Sequence, residues 1–157
     1  MIRFAAAAAV TVALFAATAA GAQTTQAAGA SGTVKLNGTV ALNCTVAVTD
    51  QGVALNLTSG ANNTQVGSVT ENCNDGAGYT INITSSNGGK LNSSSANAQP
   101  ISYTTSYDGT QASGNVAVTR SGANFGKAVS LFVTVPASAS AIAGTYSDTL
   151  TIAIAAK

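Results

Sequence analysis

From Thr33 to the end of the chain, apolar residues recur at every second position in short runs, and Gly, Asn, Asp and Ser separate the runs. A period of two belongs to strands, whose successive side chains point to opposite faces, whereas a helix repeats its apolar positions every three to four residues. No long amphipathic helix pattern competes with it. Many short strands, each with one oily face and tight turns between them, bury those faces by packing sheet on sheet, so the alternation implies an all-β antiparallel sandwich.

The pattern predicts strands near 33–48, 53–58, 65–72, 78–85, 100–107, 115–119, 127–135 and 145–155. Parity assigns their inward faces: Tyr79, Ile81 and Ile83; Ile101, Tyr103 and Tyr107; Val129, Leu131, Val133 and Val135; and Tyr146, Leu150, Ile152 and Ile154. Asn87 to Gly89 and Asp108-Gly109 supply the positive-φ positions of tight reversals. The polar stretch Gly88 to Pro100 and the small-residue stretch Pro136 to Gly144 read as surface loops.

The start of the chain fixes a compartment. Arg3 precedes an apolar run from Phe4 to Ala17, and Ala20-Gly21-Ala22 offers small residues before a cut, the layout of a secretory signal peptide over 1–22. The run is too short and alanine-rich to favour a retained membrane span, so no direct membrane insertion is expected. Cleavage leaves five bases (Lys35, Lys90, Arg120, Lys127, Lys157) against five acids (Asp50, Glu71, Asp75, Asp108, Asp148). A balance near zero leaves no electrostatic footprint for nucleic acid or anionic lipid. With 7% of all residues charged, the surface relies on neutral Asn, Ser, Thr and Gln, which tolerate association.

Cys44 and Cys73 are the two cysteines, and in an oxidising compartment an isolated pair reads as a disulfide. Closing that loop stabilises the fold by roughly 3.5 kcal/mol in the chain-entropy picture. The chain has no histidine, which removes the commonest general base and a common zinc ligand. The carboxylates are scattered, and "NGGKL" around Lys90 lacks the spacing and the hydroxyl of a phosphate loop. No enzyme activity, metal or cofactor is expected.

One stretch is out of keeping with an exported chain's beginning. In "GTVKLNGTVALNC", Gly32 to Cys44, Val34, Leu36, Val40 and Leu42 share one parity and polar residues take the other. That is a sticky strand where chain ends are usually frayed and polar. Together with the signal peptide, the second cysteine ending "VGSVTENC" and the closing "AGTYSDTLTIAIAAK", it resembles subunits of chaperone-usher fimbriae, in particular the archaic branch and the related spore-coat-U-like secreted proteins, over Thr33 to Lys157. Subunits of the best-known branch carry an aromatic next to last, where this chain ends "AIAAK".

The resemblance implies an immunoglobulin-like antiparallel sandwich lacking its final strand, completed by donor-strand exchange. A periodic arrangement of like subunits would follow: a homopolymeric surface fimbria, delivered by a periplasmic chaperone and an outer-membrane usher and used in adhesion or biofilm formation. On this reading residues 23–37 are the donor extension, with Ala30, Gly32, Val34 and Leu36 as the inserted face, and 38–157 are the pilin domain, with Gly38 marking the change. Without the resemblance, Gly32 to Cys44 reads as the first strand of a self-sufficient sandwich, a freestanding secreted coat or ligand-binding protein. An exported hydrolase is the third reading.

Overall fold

Tyr79, Ile81 and Ile83 are fully buried while Thr84 between Ile83 and Ser85 is exposed, so one strand face supplies core and the other meets solvent. The same logic repeats along a chain with no helix among the described residues. The computed structural model describes Gly29 and residues 31–157; the expected signal peptide over 1–22, residues 23–28 of the expected donor extension, and Ala30 lie outside the described residues. The chain divides into two units, Met1–Gly38 and Thr39–Lys157. In the first, Gly29 and residues 31–38 are exposed and form no strand.

The second unit is built from β1 (Cys44–Asp50), β2 (Ala61–Cys73), β3 (Tyr79–Ser85), β4 (Lys90–Ser93), β5 (Ile101–Ser102), β6 (Thr104–Tyr107), β7 (Thr110–Ala112), β8 (Asn115–Thr119), β9 (Asn124–Val135), β10 (Tyr146–Ser147) and β11 (Leu150–Ala156). One sheet has the order β1-β2-β9-β6-β7; the opposing layer consists of β11-β3-β8 and, beyond the turn after β3, β10-β4-β5. Every pairing is antiparallel. The inner faces meet in one apolar cluster around Val69, Tyr79, Ile81, Ile83, Tyr107 and Leu131, and in a second around Leu91, Ile101, Tyr103, Val133 and Val135. This is an antiparallel immunoglobulin-like sandwich.

The inward faces of β3, β6 and β9 follow the parity of the sequence, and Asp108 and Gly109 turn β6 into β7 with φ of 46° and 79°, the mirror-type reversal that matches strand twist. Other expectations need correction. Residues 31–43 carry no strand, so the first strand begins at Cys44 rather than 33. Residues 53–58 are also outside any ladder, because Asn56 Oδ1 accepts hydrogen bonds from Ser59 N and Thr58 Oγ1 and curls the chain, yet Leu55 and Leu57 still pack on the second cluster.

The expected strand 100–107 is broken at Tyr103, where the chain leaves β4's sheet for β9's; Tyr103 N donates to Gly89 O at 2.9 Å and its carbonyl accepts from Ser113 Oγ at 3.1 Å. The stretch 88–100 is not all loop, because Leu91 is buried and draws Lys90–Ser93 into a strand. β7 is an edge too short and polar to show as alternation.

Candidate functional site

On β1 and β11 the core-facing side chains stay partly open. On β3 and β9 the inward residues from Val129 to Val135 and from Tyr79 to Ile83 are buried, whereas Val46 on β1 and Leu150, Ile152 and Ile154 on β11 are only half-buried and Val48 is 49% exposed. Each strand is paired along one edge: β1 with β2 from Cys44↔Cys73 to Asp50↔Gly67, and β11 with β3 from Leu150↔Ser85 to Ala156↔Tyr79. No described strand pairs with the other edge of either. A row of unpaired N–H and C=O groups beside open apolar side chains is a template for another strand.

Between them lies a groove of about 340 Å³. Leu131 and Val133 of β9 and Val66 of β2 form its floor, with Val48 on one wall and Leu150 and Ile152 on the other. Gly67 also borders it; a Cβ there would stand 2.9 Å from Thr49 O, so the glycine lets β1 lie close over the irregularity in β2. The lining is apolar except at one end.

That end is closed by Asp148, in the break between β10 and β11. Its carboxylate accepts from Ser85 Oγ, from Tyr103 OH at 2.5 Å and from the backbone N–H of Asn87 at 3.0 Å and Thr149 at 2.7 Å. Burial alone would raise the Asp148 carboxyl, but the hydrogen bonds from Ser85 and Tyr103, and then from the two backbone groups, outweigh it and hold the group below its ordinary value. Burial first, and the bond to Asp148 second, push Tyr103 up to about 12. At the far end Lys157 N donates to Gly78 O at 3.2 Å. The open-edged strand is therefore anchored at both ends.

Across the sandwich, Glu71 is fully buried on β2, between Val69 and Cys73. It accepts from Tyr79 OH and Tyr107 OH, each at 2.6 Å, and from Arg120 Nε at 2.9 Å and Nη2 at 2.6 Å. Burial opposes ionisation, but the bonds from Arg120, Tyr107 and Tyr79 prevail and hold the carboxyl below the usual range. Arg120 also pairs with Asp108. Sequence reasoning missed this group, although its signal was there: Glu71 shares the parity of Val69 and Cys73, and a carboxylate on an oily face demands a buried partner.

The sequence-derived site residues fall into two sets. Cys44 and Cys73 stand directly opposite on β1 and β2 and are bonded Sγ to Sγ. Gly32, Val34 and Leu36 are exposed, the last two at 86% and 91%, and none belongs to a ladder; Ala30 lies outside the described residues. Val40 and Leu42, of the same parity, are 86% and 62% exposed. Among the described residues no cluster of His, Cys, Asp and Glu could hold a metal ion, and no helix is long and apolar enough to cross a membrane.

None of the curated proteins compared with the chain matches it. A family profile, that of the Spore Coat Protein U domain, matches residues 30–153. The open edges, the groove, the bridged first strand and that match point the same way, and the chain belongs to the Spore Coat Protein U domain family, a family of structural subunits of archaic-branch chaperone-usher fimbriae.

Proposed function

We propose that this protein is a structural subunit of a surface fimbria whose groove between β1 and β11 receives an extended segment from the N-terminal region of the next copy. The observation that carries the reading is the pair of unpaired edges flanking half-buried Leu150, Ile152 and Ile154. A strand laid there gains main-chain hydrogen bonds on an edge, and its alternate side chains enter the groove. Val34 and Leu36, exposed at 86% and 91%, are side chains of the right kind. Burying them contributes roughly 1.5–3 kcal/mol each before ordering costs, so backbone pairing must supply much of the fibre's durability.

On this reading a periplasmic chaperone fills the groove in transit, an outer-membrane usher presides over the exchange, and the finished fibre serves adhesion or biofilm formation without any catalytic step. Residues 1–22 are removed on export and the segment before Gly38 is donated. The test compares the exported chain lacking Gln23 to Asn37 with the same chain carrying Gln23 to Val40 after Lys157 through a flexible linker. The fused form is expected to melt at least about 10 °C higher, as a few kcal/mol would produce in a domain of this size. A truncated chain that is already monomeric and as stable as the fusion would instead identify a freestanding secreted sandwich.

A further inference from the structure

We infer that the donated strand is Val34–Val40 and that Asn74 is the positioning residue that sets where it leaves its own domain. The inference rests on the donor-strand reading and assigns it a register. Asn74 follows Cys73, and its side chain holds the chain just before Cys44 at two points: Nδ2 donates to Ala41 O at 2.7 Å and Oδ1 accepts from Asn43 N at 2.7 Å. A third bond, Asn74 N to Asn43 O at 3.1 Å, extends the β1–β2 pairing by one step beyond the disulfide. The bridge and the Asn74 carboxamide thus form one bracket, and the chain from Ala41 onward belongs to its own subunit.

Toward the N-terminus the described residues 31–40 are all exposed and without a ladder. Val34 to Val40 spans seven residues, the length of β11 with its open edge, Leu150–Ala156. Paired with that edge, Val34, Leu36, Gly38 and Val40 would point into the groove, with Lys35, Asn37 and Thr39 outward. Leu42 has the same parity and is 62% exposed, but it lies between two pinned residues and stays with its own domain. The donor face therefore sits four residues further along than Ala30, Gly32, Val34 and Leu36. A single peptide step, Val40 to Ala41, then separates the strand given to one subunit from the bracket on the next, and so short a tether restricts the angle between successive copies.

Two sets of variants of the full chain, expressed in the cell that assembles it, test this. Polymer is read as the detergent-resistant ladder on unheated gels, and folding as an intact Cys44–Cys73 bridge. Val34→Asp, Leu36→Asp and Val40→Asp should each lower polymer at least about tenfold, since each would place an unpaired carboxylate in an apolar groove. Leu42→Asp should stay within about twofold of the parent, as surface changes do. Normal polymer from Val40→Asp, with the first two still blocked, would overturn the register and leave donor exchange standing. Normal polymer from all of them would end both.

Asn74→Ala should still polymerise but give fibres with a broader spread of angles between successive subunits in negative-stain images. Asn74→Asp keeps the acceptor for Asn43 N–H and loses the donor to Ala41 O, so it should fall between the two and carries the test if the alanine variant is not exported. Angles as narrow as the parent's in the variant imaged would remove Asn74 from the role.

Discussion

Glu71 shows how one residue ties a neutral-looking chain to a fixed core. Its carboxylate is satisfied by two tyrosine hydroxyls and the Arg120 guanidinium, so removing one partner strands a buried charge. Arg120→Ala is expected to destabilise the subunit by about 3–5 kcal/mol in denaturant unfolding, far more than an exposed arginine would. Because the folded Glu71 carboxyl lies below its unfolded value of 4.5, the stability it provides is complete above about that pH and drains away as pH falls through the folded value. Asp148 acts in the same direction. Unfolding midpoints measured from pH 6 downward should therefore fall, and Glu71→Gln should flatten part of that slope. In contrast, Thr105 is fully buried and its Oγ1 has no hydrogen-bond partner among the described residues, so Thr105→Val should hold or raise stability by up to about 1 kcal/mol.

These polar groups were only partly legible beforehand. Parity marks Glu71 as inward, but nothing in sequence spacing brings Arg120, 49 positions away, to its carboxylate. The tyrosines at 79, 103 and 107 are legible as core aromatics; the carboxylates their hydroxyls meet are not, because alternation within a strand does not name its partners: Tyr79 meets Glu71 across the two sheets, Tyr107 meets Glu71 within one sheet but two strands away, and Tyr103 meets Asp148 between two connecting segments.

Strands with a strict alternation of large apolar and polar residues, such as Tyr79–Ser85 and the end of Asn124–Val135, could be read directly, because solvent lies on one side and core on the other. Elements whose state depends on what lies beside them are not legible in this way. Gly32 to Asn43 alternates as well as any strand, yet no ladder forms there; alternation reports one oily face and not which molecule covers it. Lys90–Ser93 is hidden because a single buried residue, Leu91, is no pattern, and the switch at Tyr103 is hidden for the opposite reason: the alternation of buried residues runs unbroken through Ile101, Tyr103, Thr105 and Tyr107 while the chain changes sheets. On the open strands, amide exchange gives a direct reading. In the isolated subunit the β11 amides not bonded to β3 should exchange orders of magnitude faster than their neighbours, and in the fibre both sets should be protected. Equal protection in the isolated subunit would mean the edge is already covered. Reduction of Cys44–Cys73, which joins β1 to β2 beside the groove wall, should cost roughly 3–4 kcal/mol of subunit stability.

At the scale of the whole molecule, low charge, a bridged first strand, the unpaired edges of β1 and β11 on either side of the groove and an exposed apolar segment are one arrangement viewed from four sides. A freely diffusing protein normally covers or charges its edges to prevent chain-to-chain pairing. Here β11 presents Leu150, Ile152 and Ile154 half-buried beside an open edge, and Val34, Leu36 and Val40 stand exposed on the same chain. The proposed fibre would reconcile them: each copy would both offer a strand and receive one, a head-to-tail contact that propagates instead of closing. A density map of the assembled fibre, at a resolution that separates strands, tests this most directly. A continuous strand between β1 and β11 that traces to residues 34–40 of the adjacent copy is expected; a groove left empty, or filled by the subunit's own chain, would rule out donor exchange.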